Sequence, residues 1–441
     1  MTRVGWRVAR DADLDLATRE QALAYAADDG TFALYNDYQD GTALLVADPR
    51  YAGSEELLAT WRQTAGPDRP HALAPVPAVE GYGVFNFPYG PISMGVPEAG
   101  KFDLRTYGER VLNLSPVGGF KSRRIVDSIV GQPVLDAALR IERMAGNLSA
   151  SHVAAFLAAA ESAEQIEVPT VELWIRGFAQ ELQRVYNHVH VLARVAEAAS
   201  QNVGLAQTHA LAEEVLRLQG TAFGHRWLFG ALLPNGPARR LERADREELA
   251  RALNHLTEEF EALWALFLES RTFLDRIQAT CIVSRHDAVR WGAVGPTLRA
   301  TGVGWDDRLR VPSPPYTDLF LQLPHENGGD ALARVGVRAA EVRASFLLLE
   351  QMLERWPSSR TATEAPSPSF APGRGIGRVE APSGDLVYDL TVAGGRVARV
   401  GFRSPSQANW PAFASGMRDA VFTDFHFAFE SFGFAFAETD G

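Results

Sequence analysis

The sequence predicts an α+β protein, mainly a helical bundle, with a small antiparallel sheet toward its N-terminal end and a β-hairpin near its C-terminal end. Three observations carry this. Long stretches place apolar residues at alternating steps of three and four, the signature of one buried helix face. Between residues 81 and 114 the pattern changes to short β-branched and aromatic runs broken by Gly and Pro. Near the end, apolar residues alternate on either side of Gly394-Gly395, as a tight hairpin requires.

Taken in order, residues 1–78 are polar and turn-rich. They end in a Pro-rich loop over 66–77 and read as a small appendage joined by a linker to a main domain over 79–441. Val84-Phe-Asn-Phe87 and Val111-Leu-Asn-Leu114 read as strands, with a long loop over 88–100. A segment rich in Ala and Leu, 135–162, reads as one helix that Gly146 weakens by about 1 kcal/mol relative to Ala. Phe178, Leu182, Val185, Val189 and Leu192 form a stripe on a second helix. Leu249, Leu253, Leu256, Phe260, Leu263 and Phe267 do so on a third, and Val335, Val342, Phe346, Leu349 and Leu353 on a fourth. Such stripes bury against one another, hence the bundle. Residues 357–377, rich in Ser, Pro, Ala and Gly, read as a loop. Leu386, Tyr388, Leu390 and Val392, then 397–402, form the hairpin. In the aromatic terminus Phe425, Phe427 and Phe429 alternate strictly, which predicts a buried strand.

Composition bounds the function. Of 441 residues 46% are hydrophobic and 22% charged, so the chain folds. A formal net charge of -11 argues against a nucleic-acid partner, because phosphate binding needs clustered positive charge. No apolar run approaches the roughly 20 residues needed to cross a bilayer. The N-terminus lacks the apolar stretch of a signal peptide, so a cytoplasmic location is expected. Cys281 is the single cysteine, which excludes an iron–sulfur cluster or a thiolate metal site built from this chain alone.

Isolated polar residues carry little chemistry by themselves. His188 and His190 point about 200° apart on a helix and cannot chelate one metal. His152, His225 and His286 read as satisfied polar groups, and Cys281, in an apolar run, as an inert thiol. Gly373-Arg-Gly-Ile-Gly377 lacks the strand-before, helix-after context of a phosphate loop. Glu98 differs. Among apolar and glycine neighbours its carboxylate either faces solvent or holds a raised pKa suited to proton work.

An ordered set of motifs spans about 360 residues from Gly81. It comprises Gly90-Pro91, Glu98-Ala-Gly-Lys-Phe102, Glu142-Arg-Met-Ala-Gly-Asn-Leu-Ser-Ala-Ser-His152, Asn187-His188, Gly224-His-Arg226 and Phe273-Leu-Asp-Arg276. After these come Val283-Ser-Arg-His-Asp287, Gly295-Pro-Thr-Leu-Arg-Ala-Thr-Gly302, Gly377-Arg-Val-Glu-Ala-Pro-Ser-Gly-Asp385 and Arg403-Ser-Pro-Ser-Gln-Ala-Asn409. In this the chain resembles the large subunit of nickel–iron hydrogenases, particularly the energy-converting, formate hydrogenlyase-like group, and the homologous 49-kDa, quinone-site subunit of respiratory complex I. The resemblance implies that fold. It also implies a place in a membrane-associated redox assembly, peripheral on the cytoplasmic face of the inner membrane. The partners would be a small subunit carrying an iron–sulfur cluster and membrane subunits that move ions.

Departures from the family's pattern decide the chemistry. The four thiolate positions implied by the resemblance hold Ala145, Leu148, Ala435 and Glu438, so no nickel–iron site is expected. The arginine placed over the metal is Ser383 here. The quinone-holding tyrosine aligns with Gly146, and the quinone-binding histidine falls in the loop at 97–100, which lacks one. Glu98 matches the proton-gate carboxylate, and His152 and Arg299 persist. The expected function is electron transfer of the NADH–quinone oxidoreductase type coupled to ion movement, with a quinone as candidate acceptor. A non-catalytic scaffold, its old site filled with side chains, is the alternative. An open polar pocket by Glu98, His152 and Arg299 would favour the first and a filled apolar one the second.

Overall fold

Side-chain alternation along the strand Lys101–Tyr107 buries Phe102, Leu104 and Thr106 and leaves Lys101, Asp103 and Arg105 only partly covered. This strand pairs antiparallel with Phe85–Tyr89 on one side and Arg110–Gly118 on the other. His71–Ala72 adds a short fourth strand against Gly118 and Val117. The computed structural model describes residues 71–74, 79–93, 95–234, 236–237, 241, 243–357 and 372–441, and the backbone of three strands nearer the N-terminus. Those strands, Gly5–Arg10, Ala33–Asp37 and Thr42–Ala47, pair antiparallel with the last in the centre. The rest of the 1–78 appendage and its linker, apart from 71–74, lies outside the described residues.

The predicted stripes form the bundle. Helix Thr170–Ala198 runs through its centre, Asn202–Phe223 and Ala331–Glu354 pack along it, and Arg243–Glu269 closes the far side. Every residue of the Phe178 and Leu249 stripes is buried, and of the predicted stripe on the Ala331 helix only Leu353 is partly exposed.

Helix Ser149–Glu164 is buried at thirteen of its sixteen residues because it lies between the bundle and a C-terminal sheet. That sheet contains Gly373–Ala381, Gly384–Ala393 and Arg396–Arg403 in chain order, all antiparallel. Gly394 and Gly395 both have positive φ, 57° and 70°, as a two-residue hairpin turn demands. The helix and the first strand touch backbone to backbone. A Cβ built on Gly373, Gly375 or Gly377 would lie 1.8, 2.1 or 1.9 Å from the carbonyl oxygen of Ala163, Ala159 or Ala155. Two strand residues advance about 6.6 Å and four helix residues about 6.0 Å, so the glycine and alanine stripes stay in step.

Three expectations are corrected. The single helix over 135–162 is two, Val134–Ile141 and Ser149–Glu164, separated by a 3-10 turn at Gly146–Leu148. The loop over 357–377 ends earlier, since 373–377 begin a strand; its part at 358–371 lies outside the described residues. The terminal aromatics form helices Phe425–Phe432 and Phe436–Asp440, not a strand. Alternation favours a strand locally, but Phe425, Phe429, Phe432 and Phe436 also recur at helical spacing. Together they fill a second core with Phe102, Trp410 and Phe413. The burial expected of this terminus is observed.

Candidate functional site

The break between the two Ala-rich helices brings Ala145 and Leu148 against Ala435, nearly 300 residues further along the chain. The three pack as a cluster of their own, each less than a tenth exposed. The turn that delivers Ala435 starts at Gly433, whose φ of 68° ends the Phe425 helix. A Cβ there would come within 2.8 Å of Arg338 and 2.9 Å of Val191. Ala435 N–H then donates to Ser406 Oγ at 3.0 Å, and Ser383 Oγ donates to Gly433 O at 3.4 Å.

Glu438 sits one turn further on, fully buried. Its Oε1 accepts the Ser406 N–H at 3.0 Å, and its Oε2 lies 3.2 Å from His152 Nε2. His152 Nδ1 is 2.8 Å from the Tyr388 hydroxyl. In the tautomer with its hydrogen on Nε2, that nitrogen donates to Glu438 and Nδ1 accepts from the tyrosine O–H. The result is a buried Tyr–His–Glu chain. Burial, reinforced by the Glu438 charge, pushes the Tyr388 hydroxyl well above its ordinary pKa.

These residues do not fit a nickel–iron centre. Ala145, Leu148 and Ala435 have no donor atom in their side chains, and both oxygens of Glu438 are already committed.

Glu98 meets the N-terminal turn of the same short helix. Its Oε2 accepts the Ala437 N–H at 3.0 Å. Burial raises the carboxyl above its ordinary range, more than the Ala437 and Phe436 hydrogen bonds and the Lys121 and Arg123 charges lower it. The cations that face Glu98 are thus Lys121 and Arg123. Its loop is moulded to the terminal segment, since a Cβ on Gly100 would lie 2.0 Å from the Phe436 ring.

Arg299 belongs to a different place, a buried ionic network between the bundle and the C-terminal sheet. It donates to Glu341 Oε1 and Glu380 Oε1, each at 2.8 Å, and to Trp305 O at 2.7 Å. Glu341 accepts from His188 Nε2 at 2.9 Å, while Arg338 donates to His188 Nδ1 at 3.1 Å. Burial would raise the Glu341 carboxyl, but the Arg299 and Arg184 charges and the His188 hydrogen bond hold it far below the usual range. Burial pushes His188 down to about 4 against its Glu341 hydrogen bond, so the imidazole is neutral. Burial and the Asp306 charge push Glu380 up to about 7 against Arg299. Arg338 also donates to Ser431 O at 3.3 Å and Phe432 O at 2.5 Å, capping the end of the aromatic helix. Glu98 and His152 therefore meet the terminal helix, whereas Arg299 reaches the terminal segment only through Glu341, His188 and Arg338.

Sequence reasoning missed Tyr388, Arg338, Glu341 and Glu380. A signal existed for two of them. Arg334, Arg338, Glu341 and Ser345 step by 4, 3 and 4, as do Glu181, Arg184 and His188 by 3 and 4, so two polar stripes hold core positions on facing helices.

The architecture is a complex I 49-kDa-like fold. Residues 205–374 match the family described as respiratory-chain NADH dehydrogenase, 49 Kd subunit, and the resemblance read from the motifs is borne out. The chain is 28% identical over 338 residues to the membrane-bound hydrogenase subunit alpha of Pyrococcus furiosus, covering 74% of this chain and 79% of that one. It is 26% identical over 342 residues to a carbon monoxide-induced hydrogenase of Rhodospirillum rubrum, covering 77% and 94%. To one subunit of the F(420)H(2) dehydrogenase of Methanosarcina mazei it is 25% identical over 324 residues, covering 72% and 87%. Among solved structures, the membrane-bound sulfane sulfur reductase, an archaeal respiratory membrane complex, superimposes with a TM-score of 0.76 at 23% identity. The match covers 81% of this chain and 98% of that one. Relatives of this chain are thus subunits of respiratory membrane complexes. No helix among the described residues is long and apolar enough to cross a membrane.

Proposed function

We propose that this chain is the large-subunit-like component of a complex I-related membrane assembly and couples its partners without a nickel–iron centre of its own. The observation that carries this is the packing of Ala145, Leu148 and Ala435 into one buried cluster, with Glu438 tied to His152 and Ser406. Where the family resemblance puts thiolates, this chain has a structural joint between the Ser149 helix and the terminal segment. Its partners are a small iron–sulfur subunit and membrane subunits that translocate ions, and it sits peripherally on the cytoplasmic face. Glu98 is the group proposed to handle protons, and His152 and Arg299 are the other candidate catalytic residues.

A second reading keeps electron transfer to a quinone at this chain. Gly146 favours it, because it is partly exposed and a Cβ there meets nothing nearer than Trp227, at 3.8 Å. Isolating the native assembly through a tag on this chain tests both readings. The expected result is an iron–sulfur subunit and membrane subunits in stoichiometric amounts, with no nickel and no quinone reduction lost on Gly146→Leu. Recovery of the chain alone, or about one nickel per chain, would overturn the proposal. Loss of quinone reduction in Gly146→Leu would favour the second reading.

A further inference from the structure

Beyond the terminal segment, the helix Asp307–Arg310 sets a second carboxylate cluster against the C-terminal sheet. Asp307 is 5% exposed, and neither of its side-chain oxygens receives a hydrogen bond. Its near cation is Arg378, whose Nη2 is 2.6 Å from Oδ1, but that guanidinium also holds Asp385 through Nε at 2.9 Å and Nη2 at 3.3 Å. On the sheet, Asp385 stands directly opposite Glu380, two like groups in cross-strand register. Glu380 Oε2 accepts the Asp307 backbone N–H at 3.2 Å, which presses a third carboxylate into the same place. Arg299 is already divided among Glu380, Glu341 and Asp306, and Arg308 between Asp306 and Glu181.

A buried carboxylate with no hydrogen-bond donor is expensive, and two in contact cannot both stay ionised. A proton between them resolves both problems. We propose that Asp307 and Asp385 form a buried carboxyl pair that binds one proton, with Arg378 as its most exposed member. The Arg378 side chain is 13% exposed against 6% for Asp307 and 1% for Asp385, so it is the side on which the pair can exchange with water. Burial raises the Asp307 carboxyl more than the Arg378 charge lowers it, and the Asp385 and Glu380 charges add to the rise. The site is separate from the terminal segment and holds whether or not Glu98 and His152 handle protons.

Infrared spectroscopy of the full chain tests it. At about pH 8, far above the ordinary aspartate pKa of about 4, a protonated-carboxyl C=O band that shifts in D2O is expected. Asp307→Asn removes the amplitude of one carboxyl per chain, whereas Glu98→Gln and the same change at Glu430, a buried carboxyl paired with Arg194, leave that component in place. A band unchanged in Asp307→Asn, or no such band in the parent protein, would overturn the proposal. Should Asp307→Asn fail to fold, Arg378→Gln answers instead. Loss of the cation moves the deprotonation midpoint of the component up by about one unit or more, and an unmoved midpoint overturns the assignment. Sodium added at constant pH should leave the band intact; its loss would make this a metal-cation site and sink the proton reading.

Discussion

Glu438 occupies a position that the family resemblance gives to a metal ligand, and here its carboxylate joins three segments of chain. One oxygen holds the Ser406 backbone, the other meets His152, and the residue itself belongs to the terminal helix. Removing it strands two buried donors, so Glu438→Ala should cost about 2–5 kcal/mol in unfolding free energy. A loss below about 0.5 kcal/mol would show that the joint carries no weight. Glu98 gives a prediction of the opposite sense. Its folded-state pKa lies above the unfolded one, so its stabilising contribution is complete below the unfolded value and is lost as pH rises through the folded value. Glu98→Gln keeps an oxygen for the Ala437 N–H and should gain on the parent protein in chemical denaturation as pH rises above 4.5. If the gap does not change with pH, Glu98 is not buried in the way described. Glu98→Gln should also slow any proton-coupled turnover of the assembly by on the order of 100-fold while leaving assembly intact. Two other groups bracket the pH range. Glu430, pushed up to about 7 by burial against Arg194, favours the fold below 4.5 and loses that contribution as pH climbs through 7. His188, depressed to about 4, withdraws stability as pH falls from 6.5 through 4, because it must then charge inside the core. Glu430→Gln should therefore remove the loss of stability between about pH 4.5 and 7 and leave the His188 loss below about pH 6.5 in place.

Among the elements, the strand Gly373–Ala381 makes the strongest demand on sequence. Gly375→Ala would place a methyl 2.1 Å from the Ala159 carbonyl, and neither backbone can yield without moving the Ser149 helix. A loss of about 3 kcal/mol or more is expected, read as a lowered melting temperature. Gly394→Asn, at a hairpin turn with nothing within 4 Å of its Cβ, should be nearly neutral. The Ala331 helix makes a second demand through Arg338, and Arg338→Met should raise hydrogen exchange across 425–440 while leaving the Thr170 helix protected. These cases show what the sequence could reveal. Helices with one apolar stripe were legible because their partners differ in polarity from water. The hairpin was legible because Gly394-Gly395 needs positive φ. The glycine strand was not, since Gly373, Gly375 and Gly377 look like a loop until the alanine stripe they face is known. The terminal Phe residues satisfied two periods at once, and only their packing on Phe102, Trp410 and Phe413 chose the helix. In the site, Ala145, Leu148, Ala435 and Glu438 were legible as departures from a pattern. Tyr388 was not, because its partner His152 lies 236 residues away.

At the scale of the whole molecule, the proposal of a complex-bound subunit makes a prediction of its own. Separated from its partners, the chain should self-associate, and a stable monodisperse monomer in sedimentation velocity would count against that role. The terminal segment has a further consequence, one of timing. The partners described for the Phe425 helix and the turn after it, Tyr89, Phe102, Val191, Arg338, Ser383 and Phe413, all precede it in the chain. On the ribosome the residues of the receiving slot are therefore synthesised before their occupant, and a slot that folds at that stage would stand open, lined with aromatic rings and Arg338, until the segment arrives. A slot that waits can be filled from outside. A chain cut in the exposed turn near Asp419 should be rescued by a synthetic peptide spanning 420–441, with the melting temperature rising as peptide is added. A truncated chain indifferent to the peptide would mean that slot and segment form together.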